Sequence, residues 1–147
     1  MQNEQSAKQS VEALSLAIEN LLVRRNLRGM KSVQPALTPG YVLRAAKMMQ
    51  ACRGTVLIGT GFPVVDTFET DGPVGAVSLY NAMKALGANP IIVCGAPLSD
   101  ALKDDYHVHE LLVGEHGAQE QEAADALVKY QPELIISIER PGQAADG

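Results

Sequence analysis

The sequence is poor in cysteine, in long apolar runs and in basic charge, and each shortage removes a class of protein. Its two cysteines, Cys52 and Cys94, lie far apart and outside any C-x-x-C spacing. They read as reduced core thiols, with no disulfide framework and no redox or zinc role. No apolar run approaches the roughly 20 residues that a bilayer span requires. The opening "MQNEQSAKQS" is polar and of mixed charge, unlike a secretory leader. The expected compartment is therefore the cytoplasm, with no membrane partner. Lys and Arg number 12 against 17 Asp and Glu, a net charge of −5. Binding nucleic acid by counterion release needs clustered cations, so no nucleic-acid partner is expected either. The one basic cluster, Arg24, Arg25, Arg28 and Lys31, is short and suits a helix C-terminus and the loop after it. The G-x-S-x-G elbow of serine hydrolases is missing too, as is a Walker Lys-Ser/Thr.

What is present describes a globular protein of about one domain: 147 residues, 46% hydrophobic and 20% charged, enough to bury a core. Val11, Leu14, Ile18 and Leu21 recur at helical spacing from Ser10, behind a Ser6 and Gln9 pair of capping-box form, which predicts a helix to about residue 25. "NLRGMKSVQPAL" breaks that periodicity and reads as a connector. Thr38-Pro39 then predicts an N-cap and first position for a second helix that buries Val42, Ala45, Ala46 and Met49. "GTVLIGT", "PIIVCG" and "ELIISIE" are continuous apolar runs of the kind buried on both faces of a parallel sheet, and "HELLVG" is a weaker one. Between them, helices are predicted over about 73–86, with Ala76, Leu79, Tyr80 and Met83 on one face, and about 118–130, with Ala123, Ala124, Leu127 and Val128 inward. Strands alternating with helices predict an α/β, three-layer Rossmann-like fold with a mostly parallel sheet. The expected organisation is a single α/β domain over 1–147, with N-terminal helices over about 6–53 and strand–helix units over about 54–147. The chain leaves its last strand through "IERPGQAADG" with nothing to bring it back over the sheet, so it reads as the first part of a longer protein.

In open parallel sheets ligands bind beyond the carboxyl ends of the strands, which puts 60–72 and 139–147 on one rim. Gly59 and Gly61 allow a sharp turn and close approach to a ligand, but Phe62 and Pro63 follow, so this is not the dinucleotide fingerprint. At the helix entry, Asp71 or Gly72 is the expected N-cap, Pro73 fills the first turn, and Gly75 and Ala76 keep it free of bulk. Bare amides there suit a carboxylate or phosphate, although Asp-Gly-Pro is also simply a good helix start. Glu69, Thr70 and Asp71 in succession exceed what a cap needs. Glu139 and Arg140 place an acid and a base at the sheet edge. They either pair with each other or act on a ligand, Arg140 forking onto a carboxylate while Glu139 and Asp146 hold an ammonium or move a proton. His107 and His109 share one face of a strand, with His116 close behind, but no recognised ligand spacing completes a site. No metal ligand or cofactor is predicted, and a divalent metal is left open.

At these two loops the sequence resembles the C-terminal domain family of D-glutamate cyclase and its free-standing bacterial relatives. "GTGF", "ETDGPVGA" and "SIERPGQAADG" carry the resemblance, with the lead-in "LLVRRNLRGM" and the strand–helix order between them; nearly the whole chain fits. The family domain continues past the Asp-Gly at which this chain ends. The resemblance implies a lyase that converts D-glutamate to 5-oxo-D-proline and water. Ring closure needs a deprotonated amine, a polarised carboxyl group, a held α-carboxylate and donors for the developing oxyanion. Residue type and position then assign one carboxylate to the helix N-terminus over Gly72 to Gly75 and the other to Arg140. The amine proton goes to Glu69, Asp71 or Glu139, and Thr60 and the Gly61 amide are the oxyanion donors. A small anionic amino acid is the expected partner, and homo-oligomerisation is left open. A related lyase on another small amino acid fits the same residues. Two further classes compete: a non-catalytic module for a carboxylated or phosphorylated metabolite, and an interaction domain whose polar loops serve oligomerisation.

Overall fold

The computed structural model describes residues 2–64, 67–112 and 119–140. Asp146 and His116 lie outside the described residues. The chain divides into two compact units, Met1–Ala51 and Cys52–Gly147.

The first unit is helical: α1 (Gln2–Val23), a 3-10 turn at Leu27–Gly29, α2 (Met30–Val33), a second 3-10 turn at Gln34–Ala36, and α3 (Tyr41–Ala51). Ser6 and Gln9 lie inside α1 instead of starting it. The apolar stripe is not the face that packs: Val11, Leu14 and Leu21 are exposed, while Ser15, Glu19 and Val23 are buried. The reason is a buried carboxylate. Glu19 accepts hydrogen bonds from the Ser15 hydroxyl at 2.7 Å and from the amides of Gly40 and Val42 at 3.0 and 3.2 Å. Burial alone would raise the Glu19 carboxyl; these donors, with Arg44 nearby, hold it below the usual carboxylate range. Glu19 thus satisfies amides at the start of α3 that the Thr38-Pro39 reading assigned to a local cap. Within α3, Val42 and Met49 are half-buried, but Ala45 and Ala46 are exposed.

The second unit carries the sheet: β1 (Thr55–Gly59), a short hairpin of β2 (Pro63–Val64) and β3 (Thr67–Phe68), α4 (Asp71–Ala85), β4 (Asn89–Gly95), α5 (Leu98–Leu102), β5 (Val108–Leu111), α6 (Gln119–Tyr130) and β6 (Leu134–Ser137). Four strands form a parallel sheet in the order β5-β4-β1-β6. This is an α/β, three-layer Rossmann-like fold. The hairpin and α5 are elements the periodicity did not announce, being too short to show a period.

Strand order fixes the layers. The chain steps outward from β1 to β4 to β5, then crosses back to place β6 on the other side of β1. With the right-handed crossovers that parallel connections take, α4 and α5 fall on one face and α6 on the other. Val56, Ile58, Ile92 and Cys94 are fully buried, and Ala76 and Met83 of α4 are buried with them. Each large aliphatic side chain so placed contributes about 1.5–3 kcal/mol. At the amino end Glu133 ties the start of β6 to that of β1, accepting from the amides of Arg53 and Gly54 at 3.1 and 2.6 Å.

Helix α6 departs from expectation. Ala123, Ala124, Leu127 and Val128 are exposed; Ala126 is buried, with Glu122 and Tyr130 half-buried on either side of it. Between α6 and the sheet runs a groove of about 410 Å³ lined by Leu57, Val93, Leu111 and Ile135 from the strands. Both cysteines are free and buried, as the sequence implied. In urea titrations, Ile92→Ala is expected to lose about 2–5 kcal/mol, and Val128→Ala to stay within about 0.5 kcal/mol of the parent. A large loss at Val128 would contradict this placement of α6.

Candidate functional site

The site lies where the strand order reverses. β1 leads out to α4 on one face, while β6 is entered from α6 on the other, and in open parallel sheets the carboxyl ends of two such neighbouring strands border a crevice. The last rung of the ladder there is the Ile138 amide on the Gly59 carbonyl at 2.8 Å. Glu139 then turns into the left-handed region at φ 49°, an uncommon conformation for a residue with a side chain.

From β1 the chain enters Thr60, whose amide still bonds Val93 O at 3.1 Å. Gly61 follows at φ 105°, a turn that glycine alone makes without strain. The β2–β3 hairpin folds the loop back, closed by the Glu69 amide on Phe62 O at 3.0 Å. This brings Glu69 to the start of α4, beside Asp71. Thr70, and neither Asp71 nor Gly72, holds the N-cap position, with no side-chain capping bond.

The expected bare amides of α4 are largely spoken for. The Gly72 amide donates to Asp71 Oδ1 at 3.1 Å, Pro73 has no N–H, and the Val74 amide bonds Thr70 O at 3.2 Å. What surrounds this helix end is acidic. Carboxylate oxygens of Glu69, Asp71 and Glu139 all lie within 4.8 Å of one another, and the three residues are exposed. Three like charges so gathered repel, and a positive group between them relieves the repulsion. Both an ammonium and a divalent cation held by carboxylate oxygens fit that description.

Gly72 is the floor of this arrangement. A Cβ there would come within 2.5 Å of Glu139 Cβ, and the Thr60 Oγ1 lies 3.3 Å from the same point. That hydroxyl is fully buried and has no hydrogen-bond partner among the described residues. A buried hydroxyl left unpaired costs about 1–3 kcal/mol, which a ligand atom reaching it would recover. Gly75 has no such constraint, since its Cβ would meet Ile138 Cγ2 at an ordinary 3.5 Å.

Arg140 goes the other way. Its stem passes 3.6 Å from where a Gly59 Cβ would be, its Nη1 donates to Thr60 O at 3.3 Å, and its side chain lines one end of the groove under α6. Successive residues of the loop after β6 therefore carry an acid to one side of the crevice and a base to the other. Beneath it lies Cys94, whose thiol is raised by burial to about 11, away from the reactive thiolate form. The sequence named Thr60, Gly61, Glu69, Thr70, Asp71, Gly72, Gly75, Glu139 and Arg140 one by one. It set Glu69, Asp71 and Glu139 on one rim as alternatives for one proton, but not in mutual contact, because no local spacing joins residues 69–71 to 139.

Two glycine variants separate floor from packing. Gly72→Ala is expected to destabilise the protein by about 1–3 kcal/mol through overpacking against Glu139, whereas Gly75→Ala gains about 0.5–1 kcal/mol of helix propensity. Thermal unfolding measures both, and equal effects would contradict the floor assignment.

Among curated proteins none matches the chain. The family model described as "D-glutamate cyclase-like, C-terminal" matches residues 18–147, a stretch that contains the whole sheet unit and every rim residue described above. The chain belongs to the D-glutamate cyclase-like C-terminal domain family.

Proposed function

We propose that the crevice binds a small zwitterionic amino acid and closes it on itself, as in the conversion of D-glutamate to 5-oxo-D-proline and water. The observation that carries this reading is the division of charge across the switch point, with Glu69, Asp71 and Glu139 on the α4 side and Arg140 on the other. An α-ammonium matches the acid cluster and a carboxylate matches the guanidinium. Family membership supports the same chemistry.

In the reaction the amine nitrogen forms a C–N bond to the side-chain carboxyl carbon, a C–O bond breaks, and one carboxyl oxygen leaves as water. Carboxylates of the cluster take the two protons that the ammonium nitrogen loses on its way to the lactam N–H and deliver both to the leaving oxygen, which departs as water. Arg140 holds the α-carboxylate, and the Thr60 hydroxyl and Gly61 amide face the developing oxyanion. A divalent cation on the cluster would polarise the carboxyl group under attack.

The openness of the crevice favours a second reading. Glu69, Asp71, Glu139 and Arg140 are all exposed, as suits a module that binds a carboxylated metabolite without turning it over. Following 5-oxoproline by chiral chromatography with D- and L-glutamate, with and without EDTA, distinguishes the two. The cyclase reading expects D-specific product, a loss of about 10²–10⁴-fold in Glu139→Gln and a raised KM in Arg140→Ala. No product, with thermal stabilisation by glutamate that survives Glu139→Gln, would replace the enzyme by the binding module.

A further inference from the structure

Among the described residues, Ala126 is the buried apolar side chain that α6 offers the sheet. Leu127 and Val128 are 46% and 75% exposed. Polar contacts hold its two ends. Near its start Glu122 accepts the Leu112 amide at 2.8 Å. At its last residue the Tyr130 hydroxyl lies 3.3 Å from His109 Nδ1 on β5, the two rings edge-on at 5.2 Å and 75°.

His109 is a partner that tolerates no added charge. Its Nε2 is buried and has no hydrogen-bond partner among the described residues. In the neutral ring that nitrogen can be left as a bare lone pair while Nδ1–H donates to Tyr130. Protonation adds an N–H there with no acceptor, in a buried setting where an unmade bond is expensive. The neighbouring charges add to the penalty. Lys129 on α6 stands with its ammonium 4.7 Å over the Tyr130 ring, and His107, just before β5, packs edge-on to the same ring at 6.2 Å. Glu122 is the carboxylate on α6 that opposes them. Burial first and Lys129 second hold the imidazole below its usual value, Glu122 pulls the other way, and His107 adds to the lowering.

We propose that His109 is an acid-sensitive latch for α6: the neutral imidazole seats the last turn of the helix on β5 through Tyr130, and protonation releases it. A lowered folded value contributes stability above the ordinary imidazole range, near 6.5, and that contribution is lost as pH falls through this range. Helix α6 leads through three residues into β6, whose far end carries Glu139 and Arg140. Release of the latch therefore loosens the strand that positions the crevice, and widens the groove beneath α6, independently of what the crevice binds.

Hydrogen exchange of the whole chain, corrected for intrinsic rates, tests this on a peptide covering 119–131, with 89–95 of β4 as the internal reference. Between about pH 7.5 and about pH 5.5 the protection of α6 is expected to fall on the order of tenfold relative to β4. His109→Asn removes that pH dependence, and the exposed His107, replaced by Asn, leaves it intact. Tyr130→Phe lowers α6 protection already at neutral pH and shrinks the acid step. Protection of α6 that does not change with pH, or that falls equally in His109→Asn, overturns the proposal. If His109→Asn does not fold, titration of the wild-type imidazole by NMR decides, since the α6 amide shifts must follow the His109 curve.

Discussion

Strand β1 is hydrogen-bonded on both sides, to β4 and to β6, and everything of chemical interest hangs on where the second of these ladders ends. The last rung is the Ile138 amide on the Gly59 carbonyl. Beyond it the two chains must part, since β1 continues toward α4 on one face and β6 pairs from the side served by α6. Parting chains leave a crevice, and the residues that line it are simply those that come next: Thr60 and Gly61 from one strand, Glu139 and Arg140 from the other. The left-handed turn at Glu139 sends its carboxylate over Gly72 while the following arginine lies across Gly59.

This geometry explains the charge distribution better than a helix-dipole argument does. The first turn of α4 would attract an anion if its amides were free, but Asp71 and the backbone have taken them. The hairpin of β2 and β3 adds Glu69 to the same spot, so the helix end becomes a place for positive charge. Neutralisation of an anion is left to Arg140. A carboxylate cluster at one side and a guanidinium at the other match the two ends of the amino acid proposed above, and the Thr60 hydroxyl, buried and without a partner among the described residues, adds a polar floor.

Helices α1 and α6 illustrate a common principle. Helix α1 turns Ser15 and Glu19 inward because four polar groups can be satisfied there together, which outweighs the pull of its leucines. Helix α6 turns Glu122, Ala126 and Tyr130 toward the sheet because Leu112 and His109 offer partners at the matching turns. In both, the packed face is set at i, i+4, i+8 by hydrogen bonding, with apolar residues left on the outside. Such helices hold by a few specific contacts and respond to changes in them.

Sequence alone determined the α/β class and the four strands of the main sheet, though not the short β2 and β3. The continuous β-branched run "GTVLIGT" is at home in a sheet covered on both faces, and β1 is so buried. "ELIISIE" reads the same way, but β6 is an edge strand with Ile135 60% exposed. Sequence also named each rim residue, through glycines and charges that helices and strands do not need. Tertiary structure decided which face of α1 and α6 packs, because a helical period states that a face exists without stating which polar partners await it. It decided that Glu69 and Asp71 meet Glu139, a contact across some 70 positions that only the order β5-β4-β1-β6 creates. Periodicity is a local property of the chain, whereas the strand order comes from long-range pairing, and the site exists only where that order reverses.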